Sequence, residues 1–364
     1  MSGLMTELNA RAARAGVPIS VQLDVTYRCN ERCVHCYLDH QDHGEMTLQE
    51  IRSLLDQLAD AGTLFLTLSG GEVMMRMDFF DILEYARSLM FSVKIKTNAF
   101  MIREKHADRM RELGVQQIQI SIYSHRPEVH DGITKLPGSL KRSLAAIRYL
   151  KSRGLRVVMA NVLMRQNMND YEGVRALAGE LGVGYTIDPT ITPKMDGDRS
   201  ILGLGISRGD LSAVFHNPNL VGPTEEVCAP PPAIIEDDVL DGSPCSAGHS
   251  ACYVSPYGDV YPCVQFPLPS GNVRQQKFLD IWRHSSQLKE VRSITLRDLP
   301  TCSRCAHAGT CTRCPGLAYL EGNMRGPSIQ DCEKSFARTG IPSANLLAKE
   351  SSLMGLVHIQ SLPS

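Results

Sequence analysis

Long apolar runs are missing from this chain. The longest are strand-sized, well short of what a membrane helix needs, so no crossing of a bilayer is expected. An excess of positive charge is missing too. Lys and Arg number 38 against 39 Asp and Glu, a formal net charge of −1, which leaves no basic footprint for nucleic acid. Residues 1–18 lack the apolar core of a secretory signal, so a cytoplasmic location is expected. The histidines are scattered, without the i, i+4 pair of a zincin helix. Cysteine is absent from the whole stretch between Cys36 and Cys228.

Where cysteine does occur, it is concentrated. Of 12 in the chain, three lie near the N-terminus and nine between Cys228 and Cys332. In a small secreted domain such a count would mean disulfides. In a chain of 364 residues with no export signal it points to metal. Cys29, Cys33 and Cys36 follow a strand-like segment at x3 and x2 spacing, so one loop offers three thiolates to a metal cluster. No fourth thiolate lies nearby. A [4Fe–4S] cluster normally takes four cysteines, so the triplet implies one iron left open to a small molecule.

The first half alternates strand and helix patterns. Segments 19–27, 64–68, 92–96, 117–122, 157–163 and 185–188 read as strands; 48–61, 79–89, 105–113, 140–153 and 171–181 read as helices. Thr47 and Glu50 make a capping-box pattern. Gly62, Gly114, Gly154 and Gly182 follow helices, where a left-handed residue is wanted. About six βα repeats in 1–189 predict an α/β domain, either a partial (βα)6 TIM-like barrel or a doubly wound sheet. In both, ligand groups gather at the C-terminal strand ends, and the triplet follows the first strand. Residues 190–244, with Pro230-Pro231-Pro232, lose the periodicity and read as a bridge or a substrate-contacting insertion. Residues 245–335 form a cysteine-rich module, and the tail 336–364 carries no function that can be read.

The second strand ends in Ser69-Gly70-Gly71-Glu72. Two glycines let the backbone approach a ligand, and a carboxylate can accept from an ammonium group. With the triplet before it, this segment resembles the radical S-adenosylmethionine (SAM) enzymes. The resemblance implies that Cys29, Cys33 and Cys36 hold a [4Fe–4S] cluster whose open iron is chelated by SAM. It implies that Gly70, Gly71 and Glu72 meet the SAM amino group, with Asn98, Ser121 and Asn161 as further contacts. Lys135 is a candidate for the SAM carboxylate. Val73 departs from the proline of many relatives. His35 stands where an aromatic often lies near adenine, and His125, His130 and Asp131 are expected on the same side. Asp188 ends the sixth strand and is a candidate to face substrate.

The C-terminal cysteines resemble the SPASM extension of peptide-modifying radical SAM enzymes. By that resemblance Cys245, Cys252, Cys263 and Cys314 hold an inner auxiliary [4Fe–4S] cluster, and Cys302, Cys305, Cys311 and Cys332 an outer one. Cys311-x2-Cys314 is shorter than the x3 of many relatives. Taken alone, Cys302 to Cys314 suits a zinc site as well as iron. Cys228 is left over. It is either a small buried apolar residue or a hydrogen-atom donor to a substrate radical. The implied activity is radical modification of a peptide or protein, similar to pyrroloquinoline quinone peptide cyclases. Val264 stands where sulfatase-maturating enzymes place an acidic base. Implied partners are a flavodoxin- or ferredoxin-type electron donor and, with no winged-helix segment before the first strand, a separate leader-recognition protein. A tetrapyrrole-modifying enzyme of haem synthesis and a zinc-stabilised binding protein are the alternatives.

Overall fold

Every strand that the alternation predicts is present. The computed structural model describes residues 2–347. It divides into two units, Met1–Gly205 with Ser246–Val291, and Ile206–Cys245 with Arg292–Ser364. In the first unit β1 (Ser20–Thr26), β2 (Phe65–Gly70), β3 (Ser92–Thr97), β4 (Gln117–Ser121), β5 (Val157–Val162) and β6 (Gly184–Asp188) are parallel neighbours in chain order. That order never reverses, so there is no switch point, and the doubly wound alternative is excluded. The strands wind one way, as in an open, partial (βα)6 barrel.

Helices α1 (Ser2–Ala15), α2 (Leu48–Asp60), α3 (Phe79–Ser88), α4 (Glu104–Glu112), α5 (Pro127–Thr134), α6 (Ser139–Ser152) and α7 (Tyr171–Glu180) belong to the same unit. Thr47 and Glu50 cap α2 reciprocally, the Thr47 N–H donating at 2.7 Å and the Glu50 N–H at 3.2 Å. The glycines after α2, α4, α6 and α7 all have positive φ. Two helices escape the sequence pattern: α1 is mixed and polar, and α5 is short and opened by Pro127.

Alternation along the strands sorts the side chains onto two faces. Val21, Leu23, Val25, Leu66, Leu68, Val93, Ile95, Ile118 and Ile120 are fully buried and join the helices' Ile51, Leu54, Leu55 and Leu58 in one core. Each such side chain contributes about 1.5–3 kcal/mol by leaving water. The other face carries Gln22, Asp24, Thr67, Ser69, Lys94, Lys96, Gln117, Gln119 and Ser121.

Spatial grouping differs from the division by sequence at 245. Ser246–Val291 belongs with the barrel. There β7 (Ala251–Val254) pairs parallel to β1, and β8 (Asp259–Tyr261) and β9 (Gly271–Asn272) follow antiparallel. The physical reason is the free edge of β1, whose backbone groups β7 satisfies. Of the expected bridge 190–244, residues 190–205 fold with the barrel and 206–244 with the C-terminal segment. The helix Arg208–Phe215 opens on a Ser207–Asp210 capping box. Arg208 pairs with Glu333 at 2.6 Å and lies 4.6 Å over the Phe336 ring. Glu333 and Phe336 lie on the helix Ile329–Thr339, which runs through the expected 335/336 boundary and corrects it. Residues 348–364 of the tail lie outside the described residues. Among the described residues no helix is long and apolar enough to cross a membrane.

Leu55, on the buried face of α2, gives the fold a direct test. Leu55→Ala should lower stability by about 2–5 kcal/mol through lost burial and a cavity. Thr47→Ala should cost about 1 kcal/mol through the lost cap. Urea unfolding followed by circular dichroism measures both; equal costs would contradict this assignment of core and cap.

Candidate active site

The cysteine loop leaves β1 after Thr26, and its first residues are pinned by the exit of β2. The Gly71 N–H donates to the Thr26 carbonyl at 2.8 Å, and the Glu72 N–H to that of Arg28 at 2.9 Å. A Cβ on Gly70 would stand 2.1 Å from the Thr26 carbonyl oxygen, and Gly70 has φ +141°. A Cβ on Gly71 would stand 2.5 Å from the carbonyl oxygens of Tyr27 and Arg28. The glycine pair is therefore required by chain approaching chain. Glu45 adds a second anchor, accepting from Thr26 Oγ1 at 2.6 Å and the Tyr27 N–H at 2.8 Å. The N–H groups of Arg32 and Val34 donate to the carbonyls of Thr134 and Ile133, tying the loop to the end of α5.

Glu72 is fully buried, and its carboxylate does not line the cleft described below. It accepts from Thr97 Oγ1 at 2.7 and 2.8 Å, the Asn98 N–H at 2.8 Å and the Met74 N–H at 3.0 Å. Burial pushes its carboxyl up against these bonds. Its work is to lock β2 to the end of β3. Asn98 then reaches back, with Nδ2 3.0 Å from Asn30 Oδ1 and 3.8 Å from Cys29 Sγ.

Cys29, Cys33 and Cys36 open into one cleft of about 440 Å³ over the C-terminal strand ends. Gly70, Gly71, Asn98, Ser121, His35 and Asp188 line it, as expected. Asn161 does not. The pleat turns Ala160 and Val162 to the cleft and Asn161 to the other side, where it meets Asn167 and Tyr185. Lys135 is exposed, caps α5 with φ 57° and lies outside the lining. His130 is buried with Nδ1 accepting from the Tyr123 N–H, and Asp131 binds the start of α6. Neither lines the cleft, and His125 does not either. Lys96, Glu31, Tyr123, Gln119 and Gln265 do line it. Lys96 was legible: its strand alternates, and it falls on the polar face.

The site's electrostatics call for a cation or metal. Burial pushes the Cys29 thiol up to about 12 and raises those of Cys33 and Cys36 as well. Glu31 is 3% exposed, and burial pushes its carboxyl up to about 8. One Glu31 oxygen accepts from the Cys33 thiol; the other, like Asn30 Nδ2 and His35 Nδ1, is buried without a partner. Thiols so placed ionise readily only against metal. The donor set fits a three-cysteine iron–sulfur cluster.

In the second unit Cys302, Cys305, Cys311 and Cys332 share a cavity of about 170 Å³ with His307, Arg313 and Ser335. Burial raises the Cys302 thiol, and the Arg313 guanidinium opposes it. These four fit one cluster. Cys245 and Cys314 belong to the second unit, whereas Cys252 and Cys263 belong to the first. Cys252 lines neither of these two cavities. It is 4% exposed, in register with Val21, and packed in the main core. Cys228 donates its S–H to the Phe215 carbonyl at 3.3 Å and lines neither cavity. Among the described residues no three His, Cys, Asp or Glu stand close enough to share a single ion. Seven of the 12 cysteines are instead grouped around two cavities.

Beneath the cleft a buried polar chain crosses the barrel. Lys96 Nζ donates to Gln22 at 2.9 Å, and Gln22 to Asp24 at 3.1 Å. The Tyr253 hydroxyl donates to Asp24 at 3.0 Å and lies 2.5 Å from the Tyr27 hydroxyl.

Comparison with known proteins places these features. The model of the radical SAM superfamily matches residues 23–178, and that of the SPASM iron–sulfur cluster-binding domain matches residues 245–315. The AdoMet-dependent heme synthase of Methanosarcina barkeri is 28% identical over 333 residues, 84% of this chain and 94% of that protein. The mycofactocin maturase MftC of Mycolicibacterium smegmatis is 26% identical over 360 residues, 92% of this chain and 87% of that protein. The crystal structure of Streptococcus suis SuiB bound to precursor peptide SuiA matches with a TM-score of 0.71 at 17% identity. That match covers 90% of this chain and 81% of SuiB, and it supports the fold.

Asp24 supplies a test of the polar chain. Burial, opposed by the bonds from Gln22 and Tyr253, raises its carboxyl from the usual 3.8 to about 6. Folded Asp24 therefore holds its proton more tightly than unfolded Asp24. Its contribution is most favourable below about pH 4 and is lost as pH rises through about 6, a swing of about 3 kcal/mol. Asp24→Asn should remove that fall. The stability difference between the two proteins, from urea unfolding at a series of pH values, should change across this window and flatten above it. A difference constant with pH would refute the assignment.

Proposed function

We infer that the chain belongs to the radical SAM superfamily and carries a SPASM iron–sulfur extension. On that premise we propose that it modifies a peptide or protein by radical chemistry. The observation that carries the proposal is the single cleft joining Cys29, Cys33 and Cys36 to Gly70, Gly71, Asn98 and Ser121. A [4Fe–4S] cluster on the three thiolates, when bound, supplies the electron that splits SAM into methionine and a 5′-deoxyadenosyl radical. The chain's own residues position and shield. Gly70 and Gly71 offer close backbone beside the cysteine loop, where the SAM amino group is proposed to bind. Asn98 and Ser121 offer hydrogen-bonding groups at the ends of β3 and β4, and His35 an unpartnered ring nitrogen. Lys96 replaces Lys135 as the cation proposed for a carboxylate in the cleft, since it lines the cleft and Lys135 does not.

A peptide substrate is supported by the likeness to mycofactocin maturases and to subtilosin biosynthesis protein AlbA of Bacillus subtilis. A second reading, a tetrapyrrole substrate, is favoured by the haem synthase of M. barkeri, of whose length this chain covers 94%. An electron donor of the flavodoxin or ferredoxin type and a separate leader-recognition protein belong to the peptide proposal. At least one auxiliary cluster is proposed, on Cys302, Cys305, Cys311 and Cys332. Iron content decides the number: about eight irons per chain for two clusters in all, about 12 for three.

Anaerobically reconstituted protein with dithionite and SAM should release 5′-deoxyadenosine. Cys29→Ala/Cys33→Ala/Cys36→Ala should abolish it, and Asn98→Ala should weaken SAM binding about tenfold, worth one good hydrogen bond. A precursor peptide changed in mass, with a porphyrin unchanged, establishes the first reading. The converse establishes the second. A colourless, zinc-loaded protein inert towards SAM would overturn both.

A further inference from the structure

The four cysteines of the second-unit cavity share it with a cation that has no anion. Arg313 is 5% exposed. Its Nε donates to the Gly326 carbonyl at 3.1 Å, and its Nη2 to the carbonyls of Gly326 and Met324. Its Nη1 is buried without a hydrogen-bond partner, and the guanidinium faces Cys302. Among the described residues no acid pairs with it. Asp331, the acid beside the cysteines, is held by Lys334 at 3.2 Å and by the Cys314 N–H at 2.8 Å. Two further polar groups lie on the same cavity wall. His307 uses Nε2 on the Ile341 carbonyl and leaves Nδ1 unpartnered, and Ser335 Oγ is buried facing Cys311.

A buried guanidinium met by carbonyl dipoles and a thiol is strongly unfavourable unless an anion compensates it. The cavity can supply one. Four thiolates around a [4Fe–4S]2+ core sum to a charge of −2, and one added electron makes it −3. A fixed cation stabilises the second state more than the first, which raises the reduction potential. Arginine suits this place because it stays charged when buried.

We infer that Arg313 is the built-in counter-charge of the cluster on Cys302, Cys305, Cys311 and Cys332, and that it holds that cluster's reduction potential up. The inference rests on the proposed iron–sulfur reading of those four cysteines. Arg313 is a positioning residue. The electron comes from the same class of low-potential donor, dithionite in the experiment.

The test uses the full chain with Cys29→Ala/Cys33→Ala/Cys36→Ala, so that only auxiliary clusters are titrated. Iron and sulfide content and an EPR-monitored redox titration are compared for Arg313, Arg313→Lys and Arg313→Gln. Both substitutions lose the guanidinium's fork, and only the lysine keeps a charge, so their difference isolates the charge. Arg313→Gln should shift the reduction equilibrium at least about tenfold against the reduced form, ~59 mV for one electron, relative to Arg313→Lys. If Arg313→Gln instead loses iron that Arg313→Lys retains, the counter-charge is also supported. Equal potentials, or equal loss of iron in both, overturn the inference and leave Arg313 a structural residue. If Cys302→Ala/Cys305→Ala/Cys311→Ala/Cys332→Ala removes no iron, the iron–sulfur reading itself fails, and the inference falls with it.

Discussion

The contact on which the site depends is backbone against backbone. Gly70 and Gly71 lie so close to the carbonyls of Thr26, Tyr27 and Arg28 that neither position has room for a Cβ. That approach fixes where the chain emerges from β1, and so where Cys29 begins. Glu72 carries the constraint to Thr97 and Asn98, and Asn98 returns it to Asn30 and Cys29. Three strand ends thus form a closed circuit around the cysteine loop. A cofactor that must be held to within a fraction of an ångström needs such a frame, because a loop alone would be too loose. The glycines and the glutamate hold the loop's frame, and what they leave exposed to the cleft is backbone.

The sheet tolerates this arrangement because its two faces are unequal. One face is apolar and carries the stability of the first unit. The other links half-buried Gln22 and Lys96 to buried Asp24 and Tyr253 in a chain of hydrogen bonds, which an interior chosen for stability alone would replace with hydrocarbon. The polar face is kept where strands converge on the cleft.

How much of this was legible follows from where the periodicity is long. Strands of five to seven residues with alternating polarity announced β1 to β6 within two residues at each end. The strands β7 to β9, two to four residues long, are too short to show a period. They exist because an edge of β1 is free, which is a tertiary fact. The same rule separates the site residues that line the cleft from those that do not. Asn161 and Lys96 are both polar residues near strand ends, and only parity tells them apart. Lys96 shares the face of Lys94, whereas Asn161 shares that of Val157 and Met159. Cys252 follows the same parity: it shares the face of its neighbour at i+2, Val254, and packs in the core. The cysteine pattern from 245 onward is continuous in sequence, yet in space the chain hands its first strands to the barrel.

The unpartnered ionisable groups at the two cysteine sites differ in kind, an acid at one and a base at the other, and the chemistry of the two sites accounts for that. Around the triplet the orphan is an acid, Glu31, whose second oxygen is buried with nothing to accept from. Around the four second-unit cysteines the orphan is a base, Arg313. A three-thiolate cluster with an open iron takes SAM, which brings a sulfonium and an ammonium group into the cleft, and an acid beside it is useful. A cluster closed by four thiolates admits no ligand and keeps a net negative charge, and a base beside it is needed. The first unit buries a large apolar face. Among the described residues the second unit buries fewer apolar side chains. A cluster on those four cysteines would therefore add proportionally more to its stability than a cluster adds to the barrel's.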